Sequence, residues 1–113
     1  MSVVNVKVDQ IRPKYSNLKE WTDDPDNIYI GRGRIAYIDG LRFPPADSIW
    51  ANPFKIGKDG TRDQVLEYYR KYLLSRSDLI EQLPTLKNKL LGCWCKPESC
   101  HGDILLEMIN QPE

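Results

Sequence analysis

Lys89-Leu90-Leu91-Gly92-Cys93-Trp94-Cys95-Lys96-Pro97-Glu98-Ser99-Cys100-His101-Gly102-Asp103-Ile104-Leu105-Leu106-Glu107-Met108-Ile109 is the stretch on which the fold reading turns. Lys89 to Trp94 is a compact apolar run of strand length, a turn follows, and Asp103 to Ile109 has the length and composition of a helix. A strand that stops at a turn and feeds a helix is the unit of an open α/β sheet, whose ligand lies beyond the carboxyl ends of the strands. The cysteine turn falls at such an end.

Upstream, Val3, Val4, Val6 and Val8 form a β-branched run that predicts a first strand, broken at Arg12-Pro13-Lys14. Asp23 to Asn27 is a dense turn signal, and Ile28-Tyr29-Ile30 reads as a strand running into Gly31-Arg32-Gly33-Arg34. Ile35 to Ile38 predicts another short strand, and the prolines from Pro44 to Pro53 predict a long ordered loop. The best-marked helix starts at Thr61, because Thr61-Arg62-Asp63-Gln64 fits a capping box, and Val65, Tyr69, Tyr72 and Leu73 recur at helical spacing. It should reach Leu74. Ser77 is expected to cap a second, shorter helix through Leu83, which Pro84 stops. The expectation is one α/β domain over residues 1–113, a small Rossmann-like open sheet with flanking helices.

Composition narrows the function. Of the 113 residues 41% are hydrophobic, and 16 basic residues balance 16 acidic ones. The chain is apolar enough to fold, and no global field draws it to nucleic acid or an anionic membrane, so an anion must be held locally. No apolar run is long enough to cross a bilayer, and the start lacks the pattern of a signal peptide, which predicts a cytoplasmic protein. Three clustered cysteines make no disulfide framework and are expected to be free thiols.

The cysteine turn carries the strongest chemical signal. A helix beginning near Cys100 or His101 aims unpaired amides and its positive end at the turn, where an anion can bind and a cysteine gains thiolate character. His101 is the only histidine and the only side chain whose ordinary pKa suits proton transfer near neutrality. Asp103 can orient it or cap the helix. The catalytic candidates are therefore Cys95, Cys100, His101 and Asp103, set against the simpler reading in which each packs or caps. Cys93, Cys95, Cys100 and His101 also supply four zinc-ligand types, but all four crowd one turn rather than two knuckles, so no metal and no cofactor is expected.

Two loops supply candidate ligand contacts. Arg32 and Arg34 place two guanidinium groups on a glycine turn, able to fork onto phosphate or carboxylate oxygens. Their replacement by alanine is expected to cost affinity rather than stability. Trp50-Ala51-Asn52-Pro53-Phe54-Lys55-Ile56-Gly57-Lys58 combines aromatic faces, an amide and two lysines just before the best helix. Trp50 and Asn52 are assigned to a ring or sugar, and Lys55 and Lys58 to phosphate.

Ile30-Gly31-Arg32-Gly33-Arg34, the loop Trp50-Ala51-Asn52-Pro53-Phe54 with its continuation to Arg62, and Leu91 to Asp103 together resemble a domain-of-unknown-function family of small bacterial, phage and large-virus proteins. The likeness covers roughly Ile28 to Ile109 and implies no activity, so the chemistry rests on the residues. They predict binding of a small phosphate-bearing ligand of nucleotide or ribose-phosphate type, with hydrolysis or group transfer if the protein is an enzyme. No glycine-rich dinucleotide fingerprint is present, which disfavours hydride transfer. The rival readings are a zinc-binding or thiol-redox module and a non-catalytic adaptor for protein or nucleic acid.

Overall fold

The computed structural model describes residues 2–96 and 98–110. Pro97, within the cysteine turn, and the extreme ends lie outside the described residues. Three strands, β1 (Ser2–Asn5), β2 (Asn27–Tyr29) and β5 (Leu90–Cys93), form one parallel sheet in the order β1-β5-β2. The register pairs Val3 and Ile28 with Leu91, and Val4 and Tyr29 with Gly92. Backbone bonds continue it past the strand ends, Val6 N–H to the Cys93 carbonyl and Ile30 N–H to the Gly92 carbonyl, both at 3.0 Å. A second, two-stranded antiparallel sheet is the hairpin of β3 (Ala36–Ile38) and β4 (Leu41–Phe43), turned at Asp39-Gly40 with positive φ at both.

The run Leu90 to Cys93 lacks polar alternation because β5 is central and covered on both faces. Side chains alternate along it. Leu91 and Cys93 join a cluster with Ile30, Tyr69, Leu73 and Leu105, beneath helices α3 (Arg62–Ser75) and α5 (His101–Ile109). Gly92 faces the other way, under α2 (Leu18–Asp23), where Trp21, Leu18, Ile11 and Val6 form a second cluster. A Cβ on Gly92 would stand 2.6 Å from Val6 Cγ1 and 2.8 Å from Trp21 Cζ3, so only glycine lets Trp21 lie on the sheet.

The helix start at Thr61 forms as its sequence predicts: Gln64 N–H donates to Thr61 Oγ1 and Thr61 N–H to Gln64 Oε1. It buries Val65, Tyr69 and Leu73 and runs one residue past Leu74. Two expectations need correction. The first strand stops at Asn5, because the Asn5 side chain accepts from Lys7 N–H and turns the chain into the short helix α1 (Val8–Ile11), so Val8 is helical and exposed. Ser77 is the first residue of α4 (Ser77–Gln82) rather than its cap, which is Arg76, and Leu83 already belongs to a 3-10 turn, Leu83–Leu86. The last helix begins at His101, as expected of a start near Cys100 or His101. Finally, α2 and β4 form where the sequence pattern gave no prediction; α2 is capped by Asn17 accepting from Glu20 N–H and anchored by buried Leu18 and Trp21. Among the described residues no helix is long and apolar enough to cross a membrane.

Candidate functional site

β2 and β5 end side by side, and beyond their carboxyl ends opens a cavity of about 410 Å3. Three chain segments far apart in sequence line it: Gly31 and Arg32 after β2, Asn52 and Phe54 to Ile56 in the loop leading into α3 at Arg62, and Cys93 to Cys95 with Ser99 to His101 between β5 and α5. Arg62, the first residue of the 14-residue α3, and Cys100 and His101, at the start of the 9-residue α5, line it, so the positive dipole ends of both helices lie near it.

Alternation on β5 sets the thiols. Leu91 and Cys93 face the α3 and α5 side, and Cys95 packs against the same cluster just past the strand end. Cys100 is the N-cap of α5, and its sulfur comes within 3.2 Å of Cys93 Sγ. The Cys93 thiol lies against both neighbouring sulfurs, and those contacts together with burial push it far up and hold it protonated. Cys95 and Cys100 are both lowered, in each case chiefly by the Cys93 thiol. Cys93 has one proton to give. Cys95, half-buried on the cavity wall with Arg62 and Arg32 beside it, is lowered to about 6 and is the thiolate presented to the cavity.

His101 is buried, with its ring edge-on to Tyr69 at 5.1 Å between centroids. Nε2 lies 2.7 Å from the Ile30 carbonyl, so Nε2 carries the proton and donates, and Nδ1 is left as the acceptor. Among the described residues no buried side-chain nitrogen or oxygen lacks a partner, so Nδ1, which has none there, is in contact with open space. Burial holds the His101 pKa below its usual value. The ring is thus neutral near pH 7, and the low pKa of Cys95 comes from Cys93 and then from Arg62 and Arg32.

The arginines are fixed by carbonyls. Arg32 Nη2 donates to the carbonyls of Asn52 and Phe54, each at 3.2 Å, and Arg62 Nη1 donates to the Ser99 carbonyl at 2.6 Å. Among the described residues neither guanidinium pairs with a carboxylate, and the anionic group beside them is the Cys95 thiolate.

Of the residues singled out in the sequence, Arg32, Asn52, Lys55, Cys95, Cys100 and His101 meet at this cavity. Four do not line it. Arg34, at φ 59°, is exposed, and its N–H bonds the Pro44 carbonyl. Lys58 is exposed in the turn after Lys55. Trp50 is core, with its carbonyl accepting from Tyr69 Oη. Asp103 neither lines the cavity nor orients His101. It accepts from Cys100 N–H at 3.1 Å and from Lys96 Nζ at 2.5 Å, closing the cap of α5. Asn52 is committed to its own loop, Oδ1 accepting from Phe54 N–H. Arg62 is the functional candidate that sequence reasoning missed; its signal was its place as the first helical residue after the Asn52 loop. Among the described residues no group of three or more His, Cys, Asp or Glu side chains is arranged to hold a metal ion.

Residues 14–111 match the family described as "Domain of unknown function (DUF4326)". The chain belongs to this family. It is similar to "Uncharacterized protein R718" of Acanthamoeba polyphaga mimivirus, 40% identical over an alignment of 90 residues that covers 73% of this chain and 65% of that protein. It is also similar to the "Uncharacterized 12.4 kDa protein in nrdA-td intergenic region" of Enterobacteria phage T4, 36% identical over 69 residues, 57% of this chain and 62% of that one. The chain therefore spans a little under two thirds of the length of the curated relatives it matches. No solved structure matches it.

Proposed function

We propose that the chain is a Rossmann-like domain whose cavity binds a small phosphate-bearing ligand, a nucleotide or ribose phosphate, and that Cys95 and His101 act on it by hydrolysis or group transfer. The observation that carries this reading is the pair of guanidinium groups, Arg32 and Arg62, that no carboxylate pairs and that line a largely apolar cavity at the start of two helices. Phosphate satisfies both charges. Ile35, Phe54, Ile56, Val65 and Leu66 offer the walls on which a flat ring or sugar packs, and Lys55 adds a mobile cation at the rim. Asn52 shapes the loop rather than reading the ligand.

The chemistry follows from the two ionisable groups. The Cys95 sulfur bonds to an electrophilic carbon or phosphorus of the ligand as the leaving group departs with its electron pair. A water, giving its proton to His101 Nδ1, then displaces the thiolate; an acceptor hydroxyl in place of water makes the reaction a transfer. A neutral imidazole suits this task, because a protonated one has no lone pair to offer.

The test is a thermal-shift panel of nucleoside mono-, di- and triphosphates and ribose phosphates on the parent, Arg62→Ala and Arg32→Lys. A ligand at 100 times its Kd stabilises by about 2.7 kcal/mol. One class is expected to raise the parent Tm in a saturable way and to lose that effect in Arg62→Ala. A panel without effect, or a shift that both variants retain, overturns the reading.

A further inference from the structure

Cys93 and Cys100 stand on different elements, one at the end of β5 and the other at the N-cap of α5, yet their sulfurs are 3.2 Å apart. Both side chains are buried, and both line the floor of the cavity, which gives a small molecule its way to them. We propose that these two thiols are an oxidative modification site, at which a hydroperoxide entering the cavity converts the pair to a reversible disulfide. The proposal does not depend on what else the cavity binds.

The geometry selects this pair from three thiols. A disulfide needs its sulfurs about 2.05 Å apart, so Cys93 and Cys100 have to close by roughly 1.2 Å, a movement within reach of side-chain rotation. Cys95 is two residues from Cys93 on one extended segment, where a bridge across a single intervening residue is strained. Cys100 at the amino end of α5 is the attacking sulfur, since the helix dipole favours its anion, and Cys93 keeps the proton.

The steps balance. The Cys100 thiolate attacks one peroxide oxygen, an S–O bond forms as the O–O bond breaks, and the departing alkoxide or hydroxide takes up the proton that Cys100 lost on ionising. Cys93 sulfur then displaces the hydroxyl of the sulfenic acid. The S–S bond forms as the S–O bond breaks, and the Cys93 proton leaves with the hydroxyl as water. Two thiols lose two electrons, and the peroxide is reduced to one alcohol, or water, and one further water. Oxidation also removes the Cys93 S–H that supports the Cys95 thiolate, so the thiol on the wall becomes less reactive when the floor is bridged.

The experiment treats native protein with a small excess of hydrogen peroxide, then denatures it, alkylates free thiols and cleaves after Glu98, which separates Cys93 and Cys95 from Cys100. One intramolecular bridge joining the two peptides is expected, reversed by dithiothreitol, with one thiol left to alkylate. The bridge should persist in Cys95→Ser, which leaves the buried pair untouched. In Cys93→Ser it should vanish, with Cys100 trapped as a sulfenic acid by dimedone; if that variant does not fold, Cys95→Ser alone decides. Three free thiols after treatment, a bridge lost in Cys95→Ser, or only intermolecular bridges overturn the proposal.

Discussion

The His101 imidazole donates from Nε2 to the backbone carbonyl of Ile30, 71 positions earlier in the chain, at 2.7 Å. This bond ties the start of α5 to the end of β2. It fixes the tautomer and leaves Nδ1 as the ring's acceptor. Gly102 makes the approach possible, because a Cβ there would stand 2.8 Å from Val3 Cγ2 and 2.9 Å from Ile30 Cδ1. Gly102→Ala is expected to push α5 off the sheet and cost about 1–3 kcal/mol, as overpacked cores do. Chemical denaturation of parent and variant checks this, and an unchanged midpoint would remove the close approach from the account.

Burial depresses the pKa of His101 below the 6.5 of an unperturbed histidine. In the window between the depressed folded value and about 6.5 the unfolded chain binds the extra proton, so stability rises with pH there. The contribution is complete above that window and is lost as pH falls through it. His101→Gln should therefore show a flatter fall in unfolding free energy between pH 7.5 and 5.5 than the parent. Parallel curves would mean that His101 titrates as it does in the unfolded chain.

Cys95, lowered to about 6 by the Cys93 thiol and then by Arg62 and Arg32, should be the first cysteine alkylated in native protein. Its rate with iodoacetamide is expected to rise through about pH 6 and level off below pH 8. Cys93→Ala and Arg62→Ala should each move that midpoint upward, toward the ordinary thiol value of about 8.5. An unshifted midpoint in both would place the cause elsewhere.

Arg32 and Arg34, separated in the chain by Gly33 alone, should behave differently. Arg32→Ala releases two loop carbonyls and is expected to cost about 1–3 kcal/mol of stability as well as affinity. Exposed Arg34, replaced by alanine, should change stability by no more than about 0.5 kcal/mol and leave binding intact. Melting curves with and without the best ligand of the panel separate the two.

Where the sequence was legible, one segment held the whole signal. Leu90 to Cys93 announced a strand because both of its faces are covered, and Thr61 with Gln64 announced a helix because a capping box is closed within four residues. Trp21 was not readable in that way: the helix carrying it is six residues long and is held by a glycine 71 positions later in the chain. Propensity has little to say of so short an element, whose stability comes from tertiary packing.

The site follows the same rule. The thiols, His101, Arg32 and Lys55 announced themselves by residue type near turns. Trp50, Lys58 and Arg34 carried equally suggestive types, yet which way a loop side chain points depends on contacts made across the fold, such as the Tyr69 bond to the Trp50 carbonyl. Arg62 went unremarked because an arginine in a first helical turn reads as surface, and only its reach to the Ser99 carbonyl, 37 positions away, brings it to the cavity.

The account rests on one claim, that the cavity walled by Arg32, Arg62, Cys95 and His101 is a binding site for a phosphate-bearing ligand. The most direct measurement is the rate of Cys95 alkylation in native, reduced protein as each nucleotide and ribose phosphate is titrated in. The predicted result is saturable protection of Cys95 by one ligand class, at concentrations matching its thermal shift and abolished in Arg62→Ala. Alkylation at an unchanged rate across the whole panel, or protection that Arg62→Ala retains in full, would contradict it.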